Sequence, residues 1–483
     1  MKDDGLCASC YSKDKVGVTG CGGKVGRENH LATDRPFNEL KKLENRFIMR
    51  KLPGKIKDCG KFFWTHKKKV GVSVVALYYA QQFFWSWKRN CDIRTIYANK
   101  ALQYGFTPEV SVLPSRRVAV LVNTHAGGGR TFNSFKTYAL PLLNLAGLHV
   151  DIIETENKAQ LKAVAESLDS KEADVLYIVG GDGTVSDVLS AIYNSEKNAE
   201  LPIGIFPAGK ENYSLVNLSP FVFSDQNDVR SFCESAMAII EGKIKTIHIA
   251  KFFLEKNNSK ESDDKARYGL SNFHAGWYEY IERRKEKLWY WGNLKRRISY
   301  IWEMIKNYPT DLKILLVYEN FCEGCKKCLQ PVRNDSNKWW FSFLGMRKKT
   351  KTLPEKYSTN NEICGVKNEL FVSTNDFLIE LLQHDDTSKL HIRMSGSDVG
   401  RSGIIKEGWS RCRNNTKANS PNQFYENDLL AKNVKIIFKS FPEKMGTFKI
   451  YGQDIKIDAN QIYHFETTNK KIEIYLPEIF SDN

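Results

Sequence analysis

DVLYIVGGDGTVSDVLSAIY, residues 174–193, sets an apolar run of strand length directly before a glycine-rich turn and an amphipathic run of helix length. Strand, tight turn and helix in that order make the context in which parallel sheets bind anions, because the turn lies outside the carboxyl end of the strand where the helix begins. Gly180, Gly181 and Gly183 let backbone N–H groups approach phosphate oxygens with no Cβ in the way. Thr184 has a hydroxyl to donate, and Asp182 offers a carboxylate to Mg2+ or to a substrate hydroxyl. By ordinary glycine usage, a given string of this kind arises by chance in such a chain on the order of once in two thousand. The plain alternative is a glycine turn with no ligand.

On both sides of this stretch the pattern alternates. Strand-like runs at 118–122 (VAVLV), 150–155 (VDIIET) and 202–207 (PIGIFP) interleave with helical patterns at 132–145, 159–168 and 229–241. Such alternation predicts right-handed crossovers and an α/β, doubly wound parallel sheet. Two further turns then fall at the same sheet edge: NTHAGGGR (123–130), with Asn123, Gly127 and Gly128, and PAGKEN (207–212), with Gly209 and Lys210. Thr155 closes the second strand at that edge and joins the nucleotide-binding candidates. Together the turns form a cradle for a triphosphate, with Lys210 offsetting its charge.

Beyond about residue 245 the runs are β-prone, beginning at Lys313, Leu390, Val434, Thr447 and Lys471. A β-rich, sandwich-like second domain is expected over 246–483, interrupted by an aromatic and basic stretch at 289–302 and a polar insertion at 320–361. The remaining organisation is a polar extension at 1–48, expected to be disordered, a basic and apolar segment at 49–91, and the nucleotide domain at 92–245.

The net charge of +16 favours polyanions or anionic bilayers. No aromatic-bearing sheet motif, finger spacing or basic recognition helix argues for nucleic acid. The run VGVSVVALYYAQQFFWSW (70–87) carries no charge and as a helix would reach roughly 27 Å, near the hydrocarbon thickness of a bilayer. Gln81 and Gln82 dilute it, while Tyr78, Tyr79, Trp85 and Trp87 suit the headgroup region, so lying in the interface competes with spanning. A buried soluble helix is the third reading. The eleven cysteines lack the dense regular spacing of a secreted disulfide scaffold. Cys322, Cys325 and Cys328 form a C-x-x-C-x-x-C cluster, one ligand short of a structural zinc site, with Cys364 the nearest fourth candidate. An exposed cysteine-bearing insertion is the alternative, favoured on ligand count.

The order of an Asn-led glycine turn, then GGDGT, then P-x-G followed by Asn resembles the diacylglycerol kinase catalytic domain family, which includes ceramide, sphingosine and acylglycerol kinases. Through KLWYWGNLKRR (287–297), the basic and apolar segment from Met49 and the long C-terminal insertion, the chain looks most like the mitochondrial acylglycerol kinase branch. The resemblance implies an ATP- and Mg2+-dependent kinase acting on the hydroxyl of a neutral lipid, mono- or diacylglycerol, held by the second domain. It implies Asp182 as the metal ligand and the mitochondrial inner membrane, facing the intermembrane space, as the location. It also admits a partner, a membrane-protein complex of the import machinery, served without catalysis. Two departures stand out. The third loop reads Gly209, Lys210, Glu211, Asn212 where many members have Gly-Thr-x-Asn-Asp. The C-terminal D-G-E motif, whose Glu approaches the acceptor hydroxyl in the family, reads Tyr451, Gly452, Gln453, Asp454, leaving Asp182 or Asp454 as the catalytic base.

Overall fold

The computed structural model describes residues 67–106, 116–195, 201–223, 228–256, 266–325, 327, 361–384, 387–397, 399–413, 425–459 and 461–477. The expected 1–48 extension, the basic residues 49–66 and most of the 320–361 insertion, Cys328 included, lie outside these residues. The chain divides into two units, Met1–Phe83 and Phe84–Asn483.

The described part of the first unit belongs to helix α1 (Lys67–Gly105), which continues into the second. It carries the uncharged 70–87 run, with Tyr78, Tyr79, Phe83, Phe84, Trp85 and Trp87 exposed. Among the described residues no helix is long and apolar enough to cross a membrane. Of the two membrane readings left open by the sequence, spanning finds no support in this helix, which has ample length but is diluted by Gln81 and Gln82.

The second unit opens with the alternation read from the sequence: β1 (Arg117–Asn123), α2 (Thr131–Tyr138), α3 (Leu140–Leu145), β2 (His149–Thr155), α4 (Lys158–Ser167), β3 (Val175–Gly180), α5 (Asp182–Asn194), β4 (Ile203–Pro207), α6 (Tyr213–Leu218) and α7 (Val229–Ile240). The strands pair in the order β4-β3-β1-β2, all parallel. Side chains alternate between the sheet's faces with period two, and each face has its own helices. Ala119, Leu121, Leu176 and Ile178 pack with α4 and α5, while Val118, Val120, Val175 and Tyr177 pack with α2, α3 and α7. The fold class is therefore α/β, with the parallel layer covered on both sides. The single helix expected over 132–145 is two helices broken at Ala139, because Pro141 has no N–H to donate and starts a new helix at its first turn.

The change of character expected near residue 245 coincides with β5 (Ile244–Lys256). There follow β6 (Arg267–Gly269), β7 (Phe273–Gly276), α8 (Trp277–Arg284), α9 (Lys295–Lys306), β8 (Leu312–Asn320), β9 (Lys367–Thr374), β10 (Asp376–His384), β11 (Thr387–Ser395), α10 (Arg401–Arg413), β12 (Tyr425–Ser440), β13 (Thr447–Ile450), β14 (Gln453–Lys456) and β15 (Gln461–Tyr475). These strands are antiparallel to one another, giving the β-rich C-terminal region. β15 lies antiparallel along β5 and β12 and touches β4 in parallel at Ile474↔Ile203, so the last strand joins the parallel layer to the β-rich one.

Stacked aromatics fill the β-rich core. Phe448 stacks on Phe273 at 4.7 Å between ring centroids and meets Tyr463 edge-on at 5.0 Å. All three are fully buried. Because close-packed rings leave a cavity when removed, Phe448→Ala is expected to lower stability by about 3–5 kcal/mol, read from the shift of the urea unfolding midpoint.

Candidate active site

Four parallel strands end side by side, at Asn123, Thr155, Gly180 and Pro207, and the three glycine-bearing turns follow from three of them. Their backbones touch. A Cβ on Gly209 would lie 2.1 Å from the Gly181 Cα, and one on Gly181 would lie 2.7 Å from the Glu211 carbonyl oxygen, so neither position admits a side chain. The Asp182 amide donates to that same Glu211 oxygen at 3.1 Å. The first turn is tied in by side chains: Asn123 Nδ2 donates to Thr184 Oγ1 at 3.2 Å, and Thr131 Oγ1 donates to the Ala208 carbonyl at 3.1 Å.

Asp182 is buried, and its carboxylate accepts from the Tyr213 amide at 2.7 Å and the Ser214 amide at 3.1 Å, first-turn donors of α6 that have no partner within the helix. Burial raises its pKa to about 7, with Glu211 adding to the rise and the two amide hydrogen bonds opposing it. Within the GGDGT run, the Thr184 and Val185 amides are turned inward onto the Gly181 carbonyl. At the same edge Arg130, which follows the 126–129 turn, and Lys210 of the third turn are exposed. Glycine backbones, two cations and a buried carboxylate fit a polyphosphate with its Mg2+, which usually takes one or two protein carboxylates and completes its shell from phosphates and water.

The C-terminal motif is the tip of a hairpin. β13 and β14 pair with Ile450 opposite Gln453, leaving Tyr451 and Gly452 as a two-residue turn with φ of 47° and 71°. Two positive φ values are what a type I′ turn demands. The tip rests on the GGDGT turn: a Cβ on Gly452 would sit 2.9 Å from the Gly183 nitrogen and 3.1 Å from the Asp182 Cβ. Gln453 Nε2 donates to the Gly183 carbonyl at 3.2 Å, and its Oε1 accepts from Arg267 at 3.3 Å. A neutral amide at 453 thus ties the β-rich region to the phosphate turn. Asp454 is exposed one residue further on, opposite Lys449.

From this junction a row of alternating charges runs into a cavity of about 250 Å³. Lys449 Nζ bridges Glu211 at 2.6 Å and Glu279 at 2.8 Å. His274 reaches Glu279 at 3.5 Å and Asp376 at 2.7 Å, and Asp376 also accepts from Arg411 at 3.1 Å and the Tyr425 hydroxyl at 3.0 Å. With His274 protonated, the row holds three anions and three cations, so each buried charge has an opposite neighbour. Burial disfavours the imidazolium, but Asp376 and Glu279 outweigh it and raise the His274 pKa to about 9. Burial likewise works against ionised Glu279, and Lys449 with His274 holds it below the ordinary range. Apolar Val216, Leu218, Leu270, Leu378 and Leu381 complete the cavity wall.

The structure thus brings Asn123, Gly127, Thr155, Gly180, Gly181, Asp182, Gly183, Thr184, Gly209 and Lys210 to one sheet edge, with Gly128 inside the 126–129 turn. Thr155 itself faces inward, its hydroxyl donating to the Val122 carbonyl at 2.9 Å. Sequence reasoning missed the row from Glu211 to Arg411. The available signal was a charge inside apolar β runs, such as Lys449 in TFKIY, which reads as an ordinary solvent-facing position when the strand has one wet side.

Comparison with known proteins gives four findings. The diacylglycerol kinase catalytic domain family matches residues 117–252. An uncharacterised protein of Caenorhabditis elegans is 37% identical over 438 residues, covering 89% of this chain and 98% of its own. Mitochondrial acylglycerol kinase of Xenopus laevis is 24% identical over 259 residues, 53% of this chain and 57% of that enzyme, so the match spans little more than half of the named relative. Among solved structures, a diacylglycerol kinase from Bacillus anthracis aligns over 75% of this chain and 98% of its own with 15% identity and a TM-score of 0.43.

The His274 shift has a stability consequence. A histidine raised from 6.5 to about 9 in the folded state contributes stability that is fully present below pH 6.5 and lost as pH rises through about 9. Thermal melts between pH 6 and 9.5 should show this decline, and His274→Gln should lower stability at pH 6 while flattening the slope over that window.

Proposed function

Because the chain belongs to the diacylglycerol kinase catalytic domain family, a family of lipid kinases, we propose that it phosphorylates the hydroxyl of mono- or diacylglycerol with Mg-ATP, giving lysophosphatidic or phosphatidic acid. The observation that carries this reading is that Glu211, Tyr213 and Gly452, which pack around Asp182, also line the cavity. A hydroxyl lying in the cavity is thereby brought toward the one buried carboxylate of the phosphate turn. When bound, Mg-ATP supplies the electrophilic γ-phosphate. Asp182 is favoured over Asp454 as the base that accepts the hydroxyl proton, since it is buried at the junction and its pKa near 7 suits proton transfer at neutral pH. The cavity's charged end suits a polar headgroup and its leucine-rich wall the beginning of an acyl chain.

The surface supports delivery of the lipid from a bilayer. Trp289, Tyr290 and Trp291 are exposed just before α9, and Trp302 and Ile305 are exposed on it, while Arg296 and Tyr300 of the same helix line the cavity. Aromatic rings with Lys287, Lys295 and Arg297 among them suit the headgroup region of an anionic membrane. The exposed aromatics of α1 add a second contact that lies in the interface. A mitochondrial membrane, the inner one on its intermembrane-space side, is proposed from the likeness to a relative named as mitochondrial.

A second reading rests on Gln453: an amide where the family places a carboxylate suits a kinase fold kept as a non-catalytic membrane scaffold. One assay separates the two. Purified full-length chain with Mg-ATP and vesicles carrying monoacylglycerol, diacylglycerol, ceramide or sphingosine should phosphorylate the acylglycerols. Asp182→Asn should lower kcat at least about 100-fold with Asp454→Asn near wild type. As the base must be ionised, kcat/KM should climb with pH through about 7 and level off above it. Turnover of ceramide or sphingosine instead would reassign the substrate, and no turnover of any lipid would leave the scaffold reading.

A further inference from the structure

We infer that Cys322, Cys325 and Cys364 form a metal site, three thiolate ligands for a zinc ion, that clamps the base of the β8–β9 hairpin. Their sulfurs all lie within 4.8 Å of one another. Two thiolates bound at about 2.3 Å to a tetrahedral zinc stand roughly 3.8 Å apart, so closing around the ion asks for movements of an ångström or less.

The placement comes from the fold and from a local feature. β8 and β9 pair antiparallel up to Glu319↔Lys367, so the chain leaves the sheet just before Cys322 and returns just after Cys364. Pairing alone brings the two backbones together; it does not turn three sulfurs inward. Cys325 is fully buried although it lies in a short irregular segment outside the sheet, with its neighbours Cys322 and Cys364 only half-buried. The two segments are also laced together: Asn361 Nδ2 donates to Cys322 Sγ at 3.5 Å, and Lys327 Nζ donates to the Glu362 carbonyl at 3.2 Å. A donor aimed at a sulfur holds it in place, as the outer-shell partners of metal ligands do. The spacing of Cys322 and Cys325, with a distant third cysteine, is that of thiolate zinc sites.

The chemistry is binding without electron transfer. Each cysteine forms one S–Zn bond and releases its proton to solvent, and water or a further side chain completes the tetrahedron. Tying the two ends of so long an excursion to one ion restricts the unfolded chain, which is where such a clamp gains most of its stabilisation. The site lies outside the phosphate turns and the charged cavity.

Full-length protein purified in reducing buffer with Zn2+ and dialysed should retain one zinc per chain by plasma mass spectrometry. Co2+ in its place should give the near-ultraviolet band of thiolate-to-cobalt charge transfer. Cys322→Ser and Cys364→Ser should each lower zinc retention at least tenfold and remove the cobalt band, with circular dichroism checking that the fold persists. Chelation of wild type should lower its melting temperature by a few degrees and leave the Cys364→Ser variant unmoved. Wild type that retains no zinc and gives no cobalt band overturns the site, as does retention unchanged by both substitutions or a disulfide between any two of the three cysteines in non-reduced peptide maps.

Discussion

Everything at this site depends on three turns meeting without side chains between them. Gly181 lies against Gly209, and Gly452 covers Gly183 from the other region of the chain. With that contact made, the Asp182 carboxylate reaches the first amides of α6, and the carbonyl of Glu211 takes the Asp182 amide in return. A methyl group at Gly181 or Gly209 separates the turns and breaks this exchange. The carboxylate is buried at its junction by backbone packing, and burial is what brings its pKa to about 7.

The second consequence concerns how the two kinds of sheet act together. The parallel layer supplies glycine-bearing turns at its carboxyl edge, where doubly wound sheets bind their ligands. The β-rich region supplies a hairpin tip for those turns and a cavity whose lining begins at their residues. β15 runs through both, so the relation of turn to cavity is built into hydrogen-bonded strands rather than left to a hinge. The row of buried charges from Glu211 to Arg411 then has a clear physical role. Each member alone would be costly, and together they hold a polar end open in an otherwise apolar wall.

Much of this was legible in the sequence where a strong local pattern coincided with the global fold. The strand of 174–193 was read to within a residue, because a fully buried parallel strand is continuously apolar and the glycines punctuate it, whereas the helix begins three residues earlier than read, with Asp182, Gly183 and Thr184 already in its first turn. The β-rich half was recognised while β9 and β10 were not, since KNELFVSTNDFLIELL mixes acids into its apolar positions. Two of those acids are buried partners: Asp376 meets His274 and Arg411, and Glu380 pairs with Arg393. Helices α8 and α9 escaped although each is amphipathic, because both are short and the aromatic and basic run over 289–302 reads as an interruption of the β pattern. Lys210 lies exposed in the turn after β4, at the carboxyl edge of the parallel sheet, whereas Lys449, which looked like an ordinary strand residue, bridges Glu211 and Glu279. Long-range charge pairing leaves no periodicity to read.

On the proposed function the acceptor lipid lies in the cavity that begins beside Asp182. A photoreactive diacylglycerol analogue, incorporated in vesicles, illuminated with the full-length protein and mapped by peptide mass spectrometry, tests it most directly. The account predicts labels on the segments that line the cavity, 213–220 and 378–382, and competition by unlabelled diacylglycerol. Labels confined to the exposed aromatic positions of 77–87, with none in the cavity segments, would contradict it.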